Sequence, residues 1–258
     1  MMRDLSGKRA LITGAGSGIG RELAVRFAAE GAEIVAIDVD ERGNEETVTR
    51  VRQVGGSCAS ITADVSVAAQ IQTALAGARN LDIVVNNTAV WDDDGLLHEV
   101  SEEAWDRIAA VTLKGVYLVC REVLPSMMAR RTGSIINIGS INALTGIHLA
   151  AYTAAKGGMI SLTRLMALQY GRYGVRTNVI CPGTILSESS AAFYAKHPAL
   201  EAELTQLVPS GTLGRPEDVV ECALFLASDR SRFVNGAVLV ADGGASAAHR
   251  LMSIYPQV

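Results

Sequence analysis

The chain has 258 residues, 49% apolar and 19% charged, with 25 Gly, 6 Pro and a formal net charge of −4. One or two domains fit that length, and the apolar share supplies a sizeable core, which excludes a disordered or collagen-like chain. A mild acidity with no basic run gives nucleic acid little to bind. No apolar stretch reaches the roughly 18 residues of a membrane span, and the apolar run near the start is too short for a secretory signal. A cytoplasmic protein is expected.

In chain order, Arg9 to Thr13 is a short apolar run that ends in glycines. Ile19 to Glu30 carries Leu23, Val25, Phe27 and Ala28 at mixed helical spacing and is stopped by Gly31, after which Ile34 to Asp38 reads as a second buried strand. Strand, helix and strand within about 30 residues make a βαβ unit, with a parallel pair and a right-handed crossover. Further β-branched runs stand at Cys58 to Thr62, Leu81 to Val85, Gly133 to Ile138, Val175 to Ile180 and Ala237 to Val240, most of them separated by helical stretches. Continuous Val/Ile strands alternating with helices predict a parallel sheet covered on both faces. With no composition shift to mark a boundary, residues 1–258 read as a single doubly wound α/β domain.

Two helical stretches are apolar nearly all round. One runs from about Glu102 to Val123, with Trp105, Ile108, Val111, Val116, Tyr117 and Val119, and the other from Thr153 to Tyr170. Such helices need cover on both sides, so subunit packing is expected there. Cys58, Cys120, Cys181 and Cys222 form no Cys-x-x-Cys pair and the four histidines show no ligand spacing. No metal site is expected, and the thiols read as reduced and mostly buried.

The first turn reads Thr13-Gly14-Ala15-Gly16-Ser17-Gly18-Ile19-Gly20, a Gly-x-x-x-Gly-x-Gly pattern at 14, 18 and 20. Glycines there let the backbone approach a pyrophosphate, and the helix that follows aims its N–H groups at the phosphates. A tight turn alone would explain the glycines, but the strand before, the helix after and the acid beyond argue for a dinucleotide. Asp38 ends the second strand, where a carboxylate accepts hydrogen bonds from the adenosine ribose hydroxyls and repels a 2′-phosphate. Arg42 is the one basic residue nearby, so NAD is expected over NADP.

Tyr152 and Lys156 are the one Tyr-x-x-x-Lys in the sequence. Four residues apart on a helix, they share a face. A surface pair is the plain alternative. The functional reading is that the ammonium stabilises phenolate, lowers the tyrosine pKa from about 10 and makes Tyr152 a usable acid or base. Ser140, just past a buried strand, is a turn residue or a hydroxyl that binds a substrate oxygen.

Together, TGAGSGIG at 13–20, Asp38, Asp64-Val65, Asn86-Asn87, Ser140, Tyr152 with Lys156, Pro182-Gly183 and the ending LGRPEDVVECALFLASDRSRFVNGAVLVADGG at 213–244 resemble the short-chain dehydrogenase/reductase family along nearly the whole chain. The resemblance implies a seven-stranded Rossmann-like domain, usually a tetramer, that passes hydride between a nicotinamide cofactor and a carbonyl or alcohol. It implies Tyr152 as general acid/base, Lys156 as the group that lowers its pKa and holds the nicotinamide ribose, and Ser140 as the hydrogen-bonding partner of the reacting oxygen. The cofactor set it implies is Gly14, Ser17, Gly18, Ile19, Gly20, Asp38, Asp64 and Val65 at adenine, Asn86 on the adenosine side, Tyr152, Lys156, Pro182, Gly183, and Ile185 at the carboxamide.

Three positions depart from the family pattern. Thr112 stands where an asparagine usually bends the helix and anchors a proton-relay water, Asn-Asn-Thr-Ala at 86–89 replaces Asn-Asn-Ala-Gly, and Ser187 replaces a threonine. Substrate choice in the family comes from the loop here spanning 186–212, with Phe193, Tyr194, Lys196 and His197, and from 90–97. There Trp91 can flank a ring or sugar, and Asp92, Asp93 and Asp94 can bind hydroxyls or form a solvated acidic turn. The expected substrate is a small uncharged secondary alcohol, polyol, sugar or cyclic diol, oxidised with NAD by a homo-oligomer, tetramer or dimer. A 3-oxoacyl-type reductase is the alternative within the family, and a non-catalytic dinucleotide sensor is the alternative of another class.

Overall fold

In the computed structural model of the chain, which describes residues 4–247 apart from 79 and 147 and gives the backbone alone at 189, 192 and 193, seven strands form one parallel sheet. They are β1 (Arg9–Thr13), β2 (Glu33–Asp38), β3 (Ser57–Thr62), β4 (Ile83–Asn86), β5 (Gly133–Ile138), β6 (Val175–Pro182) and β7 (Val238–Ala241), in the order β3-β2-β1-β4-β5-β6-β7. Leu11 of β1 pairs with Val35 of β2 on one side and Val84 of β4 on the other. The chain therefore winds outward from β1 to β3 and returns to the far side of β1. That reversal opens a crevice at the carboxyl ends of β1 and β4.

Side chains alternate along each strand, so both sheet faces carry apolar residues. Ala10, Ile12, Ile34 and Ala36 enter one core, and Leu11, Val35 and Ile37 the other. The first core is closed by Leu23 and Phe27 of α1 (Gly18–Ala29), Val51 of α2 (Glu41–Gln53) and Val219 and Ala223 of the last helix, Pro216–Ala227. On the opposite face lie α3 (Ala68–Ala76), α4 (Glu102–Ala109), α5 (Gly115–Arg130) and α6 (Ala150–Tyr170), with Ile71, Val119, Met127, Met159 and Met166 in the second core. The segment after β6 holds α7 (Glu188–Tyr194) and α8 (Pro198–Gln206), which makes Pro216–Ala227 α9.

A buried polar chain fixes α6 over the sheet. Asn86 Nδ2 donates to Asn137 Oδ1 at 2.9 Å, and Asn137 Nδ2 donates to Thr163 Oγ1 at 2.8 Å. Inside the sheet such a buried chain of hydrogen bonds favours one register of helix on strands.

Two helices differ from their sequence patterns. The stretch expected from Glu102 to Val123 is broken by a π-helical turn, Ala110–Lys114, and then runs on past Pro125 to Arg130. The helix expected from Thr153 starts at Ala150, because its first amides find acceptors outside the helix. The apolar surface of these helices divides. One face enters the core, while Tyr117, Leu165 and Leu168 are exposed and Ala109, Ala110, Leu113, Tyr117, Gly158 and Leu162 line an open groove. Among the described residues no helix is long and apolar enough to cross a membrane.

Candidate active site

The glycine turn joins β1 to α1. Gly18 sits at φ +51°, where a side chain is disfavoured, and its open face is bounded by Ser187. A Cβ at Gly20 would overlap the Gly14 carbonyl oxygen, so the turn closes this tightly with glycine alone. Ser17 precedes α1 and is exposed, and no side chain caps the helix among the described residues. Ile19 packs on the first core. An uncapped helix start lined by glycine fits a pyrophosphate. Asp38 stands beside it, with Oδ2 accepting from the Gly16 amide at 2.7 Å and Oδ1 from the Asp40 amide at 3.0 Å. The hydroxyl of Thr88, against the same turn, is buried without a partner, as expected of a group awaiting a ligand. These features fit a dinucleotide.

Tyr152 and Lys156 lie one turn apart near the start of α6, and Ser140 follows β5. Ser140 Oγ is 3.1 Å from both the amide nitrogen and Oδ1 of Asn142, and its hydroxyl lies close enough to the Tyr152 phenol to ease its ionisation. Lys156 is 1% exposed; Nζ donates to the Ile138 carbonyl at 2.5 Å and lies 5.4 Å from the Tyr152 ring centroid. The sequence pattern suggests that this ammonium lowers the tyrosine pKa; burial raises it instead. Desolvation pushes Tyr152 up to about 12, the nearby Ser140 hydroxyl pulling it back, and pushes Lys156 down to about 7 against the Cys181 thiol. The arrangement is a half-buried phenol beside a buried amine, each held in its neutral form near pH 8, with the Ser140 hydroxyl nearby.

The loop after β4 forms the wall beside Tyr152. Trp91 is 54% exposed and meets the Tyr152 ring edge-on, centroids 6.0 Å apart at 81°. Each of the three aspartates, read as hydroxyl binders or as an acidic turn, has a partner within the protein. Arg107 Nη2 holds the Asp92 carbonyl at 2.6 Å and Asp93 Oδ2 at 3.1 Å, while Asp94 accepts from the amides of Ala151 and Tyr152. Thr112 is fully buried within the π-helical turn, and its Oγ1 accepts from the Val90 amide at 3.3 Å. The bend is thus present with a threonine, whose hydroxyl ties it to the same loop.

Asp64 Oδ1 accepts from the amide and hydroxyl of Ser66, and Val65 packs where a Cβ on Gly115 would stand. The Asn86 amide turns into the sheet toward Asn137, whereas Asn87 Nδ2 reaches the Thr13 and Gly14 carbonyls at 3.1 Å and steadies the turn. Pro182 ends β6, the Gly183 amide donates to Ala241, and Ile185 bridges to Gly214 and gives its carbonyl to Ser190 Oγ. Ser187 joins that local network at the start of α7. The side chain of Phe193 and the tail from 248 onward lie outside the described residues.

Some of the site's fastening was missed in the sequence. Glu188 Oε2 is 2.6 Å from Arg21 Nη1 and Oε1 is 2.9 Å from Arg50 Nη2, while Arg21 also bonds the Gly16 carbonyl. This latch joins α7 to the glycine turn across 167 residues, a separation at which spacing carries no signal. Asn142, two residues past Ser140, could have been found from its position alone.

A family model described as enoyl-(acyl carrier protein) reductase matches residues 14–246. Among curated proteins, 2-(S)-hydroxypropyl-CoM dehydrogenase 3 of Xanthobacter autotrophicus is 38% identical over 92% of this chain and 95% of its own. Among solved structures, levodione reductase has a TM-score of 0.90 and 32% identity over 95% of this chain and all of its own. A structure from Agrobacterium tumefaciens with bound NADP has a TM-score of 0.86 and 31% identity, covering 96% of this chain and 99% of that one.

Proposed function

The chain belongs to the short-chain dehydrogenase/reductase family, and from that premise we propose that Tyr152, Lys156 and Ser140 carry out NAD-dependent oxidation of a small uncharged secondary alcohol. Enzymes of this class are nicotinamide-dependent oxidoreductases acting on CH–OH groups, and the chain is one of them. The observation that carries the residue assignment is the buried Lys156 ammonium nitrogen 5.4 Å from the centroid of the Tyr152 ring, with Ser140 beside the phenol.

When bound, the nicotinamide supplies the hydride acceptor or donor. Tyr152 takes the proton of the substrate hydroxyl, or returns it to a carbonyl in reduction, and Ser140 holds the same oxygen within reach. Lys156 titrates at about 7, so below that pH it places a positive charge beside the phenol that favours phenolate at the moment of transfer. Asp38 and the uncapped start of α1 hold the ribose and phosphate end. The remaining cofactor residues are assigned as in the family: Asp64, Val65 and Asn86 toward the adenosine, and Pro182, Gly183 and Ile185 toward the nicotinamide.

NAD is the assigned cofactor because the Asp38 carboxylate, fixed by two amides, repels a 2′-phosphate. The substrate class rests on the exposed Trp91 ring beside the phenol, which suits an apolar or ring face. We read residues 1–258 as one unit and the apolar groove of α4, α5 and α6 as a contact between copies. The free cysteines fit a reducing cytoplasm.

The test is NAD⁺ and NADP⁺ reduction against a panel of secondary alcohols, sugars, cyclic diols and 3-hydroxyacyl thioesters, with Tyr152→Phe as control. Tyr152→Phe is expected to bind NADH as the parent does and to lose about a thousandfold in turnover. Equal turnover in parent and variant overturns the assignment of Tyr152. Tight NADH binding with no turnover on any class, in either direction, moves the chain to the sensor reading.

A further inference from the structure

Asp92, Asp93 and Asp94 are chemically identical neighbours with different fates. The first two are exposed and turned to Arg107. Asp94 is half-buried and turned inward: Oδ1 accepts from the Gly95 amide at 2.9 Å and the Ala151 amide at 3.1 Å, and Oδ2 accepts from the Tyr152 amide at 2.8 Å. The next residue extends the junction, since the Ala150 amide donates to the Gly95 carbonyl at 3.1 Å.

α6 supplies no cap of its own. Its N-cap is Leu149 at φ +90°, and its first turn holds no acidic residue. The amides of Ala150, Ala151 and Tyr152, which no helix satisfies internally, are all taken by residues 94 and 95, some 57 positions upstream. Hydrogen bonds from amides to a carboxylate are shorter and stronger than neutral ones. The Trp91 ring rests edge-on against Tyr152 at the same junction. Four contacts thus join one short loop to the first turn of α6, two of them to the residue that bears the phenol.

We propose that Asp94 is a positioning residue for Tyr152, bonding the Trp91 loop to the first turn of α6 so that the substrate-facing aromatic wall and the acid/base move as one body. This rests on Tyr152 being the acid/base. It adds a determinant of how the hydroxyl-bearing carbon meets the phenol, set by a carboxylate that touches neither substrate nor cofactor. The chemistry is specific to aspartate. Asparagine offers one acceptor oxygen and would turn its NH₂ toward an amide N–H, whereas glutamate keeps both acceptors on a stem one methylene longer.

The test compares Asp94→Asn and Asp94→Glu with the parent, each carrying Trp105→Phe so that Trp91 is the sole tryptophan emitter. Three readouts are taken: hydrogen exchange of the Ala151 and Tyr152 amides, acrylamide quenching of Trp91, and kcat, KM and NADH affinity on the best alcohol of the panel. Asp94→Asn is expected to speed exchange of both amides, make Trp91 more quenchable and lower kcat by about tenfold to a hundredfold, with NADH affinity within about twofold of the parent. Asp94→Glu is expected to recover part of the kcat and of the exchange protection.

Unchanged exchange overturns the proposal, because the amides are then held by something else. Faster exchange with unchanged kcat also overturns it, leaving Asp94 a structural cap. If Asp94→Asn does not fold, Asp94→Glu decides by the same criteria. Should Tyr152→Phe retain turnover, the acid/base reading fails on its own, while exchange and quenching still report whether Asp94 holds the loop to α6.

Discussion

Two helices start beside the crevice, and the chain treats them in opposite ways. α1 begins at Ser17 with no side-chain cap among the described residues and with glycines around it. α6 begins at Leu149 with its first three amides filled by Asp94 and Gly95. Both ends carry the partial positive charge of a helix start. Left open, that charge attracts an anion; filled by a carboxylate, it cannot, and the filled start becomes a rigid mount for the side chains that follow. On the proposed function, phosphate binding and phenol positioning are separated by how two sets of amides are satisfied.

The strongest way to break this contrast is to spoil the open start. Gly20→Ala places a methyl group on the Gly14 carbonyl oxygen and within 2.7 Å of Asn87 Nδ2. The turn must spread, and NADH affinity is expected to fall by about a hundredfold, equivalent to about 3 kcal/mol of overpacking strain. Fluorescence titration with NADH checks this, with circular dichroism to show that the sheet remains. A folded variant that binds NADH within about twofold of the parent would mean that the turn does not cradle the phosphates.

A milder change sharpens the contrast at the ribose end. Asp38→Ala leaves the glycine turn in place but removes the carboxylate held by the Gly16 and Asp40 amides. NAD affinity is expected to drop about tenfold, the loss of hydrogen bonds to one charged group, while NADP improves relative to it. A parent protein that already prefers NADP in the same titration refutes the carboxylate argument.

The open start was legible in the sequence and the closed one was not, for a physical reason. Gly14, Gly18, Gly20 and Asp38 are close in the chain and obey fixed local geometry, so their pattern announces a strand, a turn and an acid at the next strand end. Tyr152 and Lys156 are likewise one helical turn apart. Asp94 and the amides it fills are 57 and 58 residues apart, and Glu188 and Arg21 are 167 apart. Nothing in a local pattern says which of three consecutive aspartates turns inward. The sheet was readable because its central strands are buried on both faces, and the π-helical turn at Thr112 was hidden because its residues continue the apolar periodicity of the helices on either side.

The smallest expected effect tests how dry the mount is. Lys156 is 1% exposed, faces the Tyr152 ring and the Cys181 thiol, and has its pKa brought down by burial to about 7 from the ordinary lysine value of 10.5. Between those values the unfolded chain holds a proton that the folded chain has released, so stability rises with pH from about 7 upward. The thiols act in the opposite sense, because burial raises Cys58 to about 11 and Cys120 to about 12 from 9.0, and that loss sets in near pH 9. In the window from pH 7 to 8.5 the lysine therefore acts largely alone, and the melting temperature is expected to climb by a few degrees at about 2–4 °C per kcal/mol. Lys156→Met should flatten the climb while the sheet stays folded. A parent curve as flat as the variant's would show that water reaches Lys156, and that the closed start of α6 does not seal the phenol and amine beneath it.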